Sequence, residues 1–120
     1  MTDATTTLQE LKSRVRGFVS ERRWEKYHSP KNLAMSLAIE AAELMEHFQW
    51  IESKRSFSSA KNKKQREEIA DEMADVLAYL LALSNVSGID LSESIERKMR
   101  KNELKYPAAK FRGRYRKPKG

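Results

Sequence analysis

Two short carboxylate steps stand out in the sequence: Glu40 with Glu43, and Glu72 with Asp75, each pair three residues apart. Residues three or four apart share a helix face, so each step sets two carboxylates side by side. The second step is crowded further, because Glu68 and Asp71 bring the count to four acids within residues 68–75. Like charges at this spacing repel and weaken a helix. A divalent cation is the simplest agent that offsets the repulsion. Magnesium suits the donor type, since it takes oxygen ligands in near-octahedral geometry and binds a few carboxylates together with substrate phosphates. An ion held between two such helices neutralises phosphate charge and makes water more acidic. The two histidines, His28 and His47, are too few and wrongly spaced for the Glu-x-x-His pairs of di-iron bundles.

Spacing alone leaves a second reading open. Acids at i and i+3 are common on solvated helix faces. The position of these acids is more telling than their number. On the helix that carries Glu40, the residues Leu33, Leu37, Ala41, Leu44, Phe48 and Ile51 form one apolar stripe. At roughly 100° per residue, Glu40 borders that stripe, with Glu43 and His47 beside it, while Glu46 points the other way. On the next helix Ile69, Met73, Val76, Leu77 and Leu80 make the stripe, and Glu68, Glu72, Asp75 and Tyr79 share one flank. Both steps therefore sit where a core meets solvent.

The elements that must position them are helical. Three prolines, four glycines and the lack of any apolar–polar alternation argue against strands. Apolar residues at Leu8, Leu11, Val15, Phe18 and Val19 predict a first helix over residues 8–27. Ser29 followed by Pro30 reads as a helix N-cap with proline in the first turn, and that second helix is expected to reach residue 52. Residues 53–64 (SKRSFSSAKNKK) are polar and basic without an apolar period, and predict a loop. A third helix is expected over residues 65–85, ending before Gly88. Asp90 with Glu93 resembles a capping box for a fourth, which Pro107 must end. The last stretch, AAKFRGRYRKPKG, is expected to be extended or disordered in isolation.

One domain fits 120 residues, taken as residues 1–107 with a basic tail over 108–120. With 39% hydrophobic and 34% charged residues, the chain has little apolar surface to spare, and part of its core is expected to form between subunits. The absence of cysteine excludes disulfides and thiolate metal sites and accords with a reducing cytoplasm. No stretch approaches the roughly 20 apolar residues of a membrane span, and the Thr-rich start lacks the pattern of a signal peptide. The net charge of +7 is unevenly placed: from residue 97 onward eleven Lys or Arg face one acid, Glu103. The helical body ahead of it holds more acids than bases.

Several ordered blocks resemble a known family. EAAELMEHFQW (residues 40–50), then a basic stretch, then EEIADEMADVLAYLLALS (residues 67–84) look like the MazG-like all-alpha nucleoside triphosphate pyrophosphohydrolases, whose signature is E-x-x-E, a variable linker and E-x-x-D. RRWEKYHSPKNLAMSLAIEAAEL (residues 22–44) and KMRKNELKYP (residues 98–107) resemble the dCTP pyrophosphatase branch. The resemblance implies an all-α, four-helix-bundle-type fold in dimers or tetramers. It further implies magnesium on Glu40, Glu43, Glu72 and Asp75, and cleavage of a nucleoside triphosphate to the monophosphate and pyrophosphate.

By the same resemblance, Trp24, His28 and Trp50 match aromatic positions around the base, and Lys98, Asn102 and Tyr106 match positions near phosphate and sugar. Tyr79, one turn after Asp75, is placed to donate to a phosphate or to a ligand carboxylate. Each has an ordinary alternative: core or interface packing for the tryptophans, capping or exposure for His28, a solvated face for Lys98. The basic linker and the tail depart from what the family carries. A helical nucleic-acid-binding protein using residues 97–120 is the competing function, and a non-catalytic helical assembly module is a third.

Overall fold

The structure is a computed structural model and describes residues 1–114. Its elements are α1 (Leu8–Glu21), a 3-10 turn (Glu25–Tyr27), α2 (Pro30–Glu46), α3 (Ser53–Lys61), α4 (Lys63–Ser87), α5 (Leu91–Lys105) and the short α6 (Ala108–Phe111). The described chain is all-α. Its residues form two compact units, Met1–Gly88 and a second that begins at Ile89.

In the first unit α4 is the central element and packs against α2 most extensively, then α1 and α3. Leu33 of α2 is 1% exposed and lies in the core with Val19 of α1 and with Ile69, Leu81 and Ala82 of α4. Of the stripe foreseen for the second helix, Leu33, Leu37 and Leu44 are buried or half-buried on α2 and Ala41 is exposed, while Phe48 and Ile51 are half-buried beyond the helix end. The α4 stripe is buried only in part. Met73 is 57% exposed and Leu77 is exposed too, although both lie near the middle of the 25-residue α4.

Caps explain most boundaries. Thr7 Oγ1 accepts from the Glu10 amide at 3.1 Å. Ser29 Oγ accepts from the Asn32 amide at 3.1 Å, with Pro30 in the first turn. Asp90 Oδ1 accepts from the Glu93 amide at 2.8 Å. Gly88 closes α4 at φ 70°, a conformation cheap only for glycine.

Three expectations need correction. The first helix stops at Glu21 rather than continuing to residue 27. Arg23 takes a left-handed φ of 52°, its amide donates to Ser20 O at 3.0 Å, and the Trp24 amide donates to Val19 O at 3.1 Å. That pair of bonds is the Schellman terminator, completed by Trp24 packing edge-on against Phe18 at 5.7 Å. The second helix ends at Glu46, and residues 47–51 are turns.

The basic linker is a helix, α3. Its half-buried residues are Ser56, Ser59 and Ala60, small side chains at helical spacing that carry almost no hydropathy signal. Asn62 then serves both helices. It ends α3 with an extended backbone, and its Oδ1 accepts from the Gln65 amide at 3.3 Å to start α4.

The second unit holds α5 and α6. Tyr106 packs edge-on against Phe111 at 5.2 Å, and α6 gives the first residues of the expected tail a helical turn. Residues 115–120 of that tail lie outside the described residues. Among the described residues, no single helix is long and apolar enough to cross a membrane.

Candidate metal centre and the cavity beside it

The α2–α4 contact brings the two acidic flanks together. One carboxylate oxygen from each of Glu40, Glu43 and Glu72 lies within 4.8 Å of the other two. These residues come from two helices and are joined by a tertiary contact, so more than local spacing is at work.

Glu40 and Glu72 are half-buried. The Oε2 atom of each is sealed from water and has no hydrogen-bond partner. A buried carboxylate oxygen left so costs free energy unless a proton or a cation satisfies it. The electrostatics record the cost. Burial, first of all, pushes the Glu40 carboxyl up from 4.5 to about 7, and the hydrogen bond and charge of Glu43, the charge of Asp75 and a hydrogen bond to Glu72 add to it. Glu72 is raised as well, chiefly by burial and then by the charge and hydrogen bond of Glu43, with Asp75 contributing; its bond with Glu40 works the other way. Asp75 is exposed and acts on both at longer range.

The donor set tests what fits there. All three clustered groups offer carboxylate oxygen, with neither thiolate nor imidazole among them. Such a set favours a hard divalent cation. Two sealed, unpartnered oxygens on members of one carboxylate cluster are what a cation would satisfy.

Tyr79 is half-buried one turn beyond Asp75 on α4, on the same flank as the acids. His28 ends the 3-10 turn and lines a cavity of about 360 Å³ between α1 and α4, with Val15, Arg16, Val19, Ser20, Glu25, Ala82, Asn85 and Val86. Trp24 and Trp50 are not among those lining residues. Trp24 instead packs on Phe18, whose ring also carries the Arg22 guanidinium at 3.8 Å. Trp50 is 88% exposed. Lys98, Asn102 and Tyr106 lie in the second unit, where the Tyr106 amide donates to Asn102 O at 2.7 Å and Lys105 Nζ sits 5.3 Å from the Tyr106 ring.

The cavity adds residues that sequence reasoning missed. Val15 and Val19 belonged to the α1 stripe, but nothing in their spacing marked a binding wall. Arg16 donates through Nη2 to Asn85 Oδ1 at 2.9 Å, and Asn85 Nδ2 donates to Lys12 O at 3.0 Å. Partners 69 and 73 residues apart leave no local trace.

Known proteins resemble this chain over most of its length. The MazG-like family profile matches residues 35–117. The chain is 36% identical over 107 residues to dCTP pyrophosphatase 1 of Rattus norvegicus, covering 89% of this chain and 63% of the relative. It is 35% identical over 102 residues to dCTP pyrophosphatase 1 of Homo sapiens, covering 85% and 60%. The chain thus spans less than two thirds of the length of these relatives. The crystal structure of a pyrophosphatase from Archaeoglobus fulgidus superposes with a TM-score of 0.79 at 44% identity, covering 89% of this chain and 98% of that one. With paired acidic steps on neighbouring helices and a profile match over most of its length, this chain belongs to the MazG-like family.

Proposed function

We propose that this chain is a magnesium-dependent nucleoside triphosphate pyrophosphohydrolase that acts on dCTP or a related deoxynucleotide and so clears the precursor pool in the cytoplasm. The observation that carries the reading is the meeting of Glu40, Glu43 and Glu72 across α2 and α4, with two carboxylate oxygens sealed and unpartnered. The dCTP pyrophosphatases named above support the substrate class.

In the reaction, water attacks the α-phosphorus, the α–β anhydride bond breaks, and pyrophosphate leaves with the nucleoside monophosphate as the second product. Glu40, Glu43, Glu72 and Asp75 would hold the cation. Magnesium, when bound, neutralises phosphate charge and acidifies water. Carboxylates gathered in this way repel a triphosphate on their own, so they would make substrate binding depend on the cation. One carboxylate of the set orients the attacking water. Tyr79, on the same flank, donates to a phosphate or to a ligand carboxylate. His28, on the wall of the cavity between α1 and α4, serves the base.

The active form is a homodimer or homotetramer. Met35, Ile39 and Met45 on α2 and Met73 and Leu77 on α4 are exposed in the single chain, apolar side chains of the kind a second copy would cover.

The test is a panel of nucleoside triphosphates with magnesium, scored for pyrophosphate and monophosphate. Release of pyrophosphate from dCTP is expected. Release of orthophosphate alone, or no turnover with any triphosphate, would overturn the reading.

A further inference from the structure

The cavity between α1 and α4 has an unusual lining for its position. Val15, Val19, Ala82 and Val86 give it apolar walls, and into these walls are set one cation, Arg16, and one acid, Glu25, with Asn85 and His28. Apolar pockets with a few fixed polar groups are the usual form of small-molecule sites, where the polar groups set orientation and selectivity.

Helix geometry connects the cavity to the carboxylates. At 100° per residue, Glu72, Asp75, Tyr79, Ala82 and Val86 fall along a single flank of α4, about 80° wide. At 1.5 Å per residue, Ala82 stands about 10 Å and Val86 about 16 Å beyond Asp75 along the axis. A nucleotide whose phosphates sit on the acids and whose chain follows this flank reaches the cavity with its base. Flat rings suit walls of valine and alanine.

The polar groups then determine which ring edge is accepted. Asn85 has no freedom of orientation. Its Nδ2 donates to Lys12 O at 3.0 Å, so its Oδ1 is fixed as the acceptor for Arg16 Nη2 at 2.9 Å. A guanidinium carries five N–H donors in a rigid plane and accepts nothing. One donor engages Asn85, and the plane of the others is set by that bond. A fork of this kind pairs best with two adjacent acceptors.

Resting on the nucleotide-hydrolysing reading above, we propose that Arg16 is a specificity residue held in place by Asn85, and that it selects a base edge of the cytosine type. Such an edge presents a ring nitrogen and a carbonyl as neighbouring acceptors, with an amino group beside them. Glu25, on the lining of the same cavity, is the acceptor for that amino group. Uracil carries N–H where cytosine carries the bare ring nitrogen and carbonyl oxygen where cytosine carries the amino group. Its edge leaves donor against donor at Arg16 and acceptor against acceptor at Glu25. Sites built on such pairing reject the mismatched edge strongly. Arg16 touches the substrate in this reading, whereas Asn85 is a positioning residue.

The experiment measures kcat/KM for dCTP and dUTP in the wild type and in Arg16→Leu, Arg16→Lys, Asn85→Ala and Asn85→Asp. Wild type favours dCTP. Arg16→Leu lowers the dCTP to dUTP ratio about tenfold or more, the scale of a lost bidentate base contact. Arg16→Lys also lowers it, because an ammonium is a point charge and not a fork. Asn85→Ala lowers the ratio mainly through KM for dCTP, and Asn85→Asp, which keeps an acceptor for Arg16, restores it. Circular dichroism identifies any variant that has unfolded, and the two conservative variants then carry the test. A wild type that prefers dUTP, or a ratio unmoved by all four substitutions, overturns the proposal while leaving pyrophosphate release intact. A wild type that hydrolyses no triphosphate overturns the function itself.

Discussion

A carboxylate oxygen of Glu40 on α2 lies within 4.8 Å of one of Glu72 on α4, and the Oε2 atom of each residue is closed off from water without a hydrogen-bond partner. Two acids in this relation are stable only with protons or a cation between them. Their pairing makes the metal-free fold sensitive to pH in a direction that can be worked out.

In the folded chain Glu40 keeps its proton up to about 7, whereas an ordinary glutamate releases it near 4.5. Between those values the folded state binds more protons than the unfolded state, so stability falls as pH rises. The penalty is absent below 4.5 and complete above about 7. Glu72 is shifted the same way. Thermal unfolding in a chelator should therefore show a Tm that declines from pH 5 to pH 8 more steeply in the wild type than in Glu40→Gln. Parallel declines would show that Glu40 is not the titrating group.

Adding magnesium at pH 8 should raise the Tm of the wild type, since a ligand that binds only the folded state stabilises it by mass action. Glu72→Gln removes a charge from the cluster, and the metal-free variant should melt above the wild type at that pH. Its magnesium-induced rise should shrink or vanish, and its turnover should drop about 100-fold or more, because metal-assisted charge stabilisation is worth several kcal/mol. A full magnesium response in Glu72→Gln would place the ion elsewhere. Glu43→Gln and Asp75→Asn should likewise abolish turnover while leaving the helical circular dichroism nearly unchanged.

The meeting of Glu40, Glu43 and Glu72 was legible in the sequence because both of its parts are periodic. Glu40 and Glu43 border the stripe that contains Leu33, and Glu72 borders the one that contains Ile69, so packing the stripes brings these three acids together, while Asp75 stays exposed outside the group. The ends were equally legible where a side chain caps a helix, as at Ser29, Asp90 and Gly88. What escaped was signalled by something other than hydropathy. The seat of α3 on α4 is made by Ser56, Ser59 and Ala60, residues that also populate loops. The end of α1 depends on Arg23 adopting a backbone conformation for which arginine has no preference. The Arg16–Asn85 bond joins residues 69 positions apart, and only the fold makes them neighbours.

Arg23 offers a test of the first of those terminators. A left-handed conformation costs a residue with a Cβ roughly 1–2 kcal/mol, and glycine adopts it freely. Arg23→Gly should stabilise the chain by about 0.5–1 kcal/mol after the added freedom of the unfolded glycine is subtracted. Chemical denaturation should show a higher midpoint with an unchanged slope. A lower midpoint would mean that the Arg23 side chain contributes more than its backbone costs.

Met73 and Leu77 carry the last prediction, which concerns assembly. Both lie on α4 and are exposed in the single chain, Met73 next to Glu72 and Leu77 two residues after Asp75. If a second copy covers them, a charge placed there must be buried unpaired, and such burial costs several kcal/mol. Met73→Lys and Leu77→Lys should then shift the protein from dimer or tetramer to monomer in light scattering, while a surface control such as Lys54→Glu leaves the mass unchanged. Turnover per chain should fall with the oligomer if the neighbouring copy steadies α4 and hence the spacing of Glu72 from Glu40. A wild type that scatters as a monomer at all concentrations would leave these apolar residues wet and remove the case for a shared core.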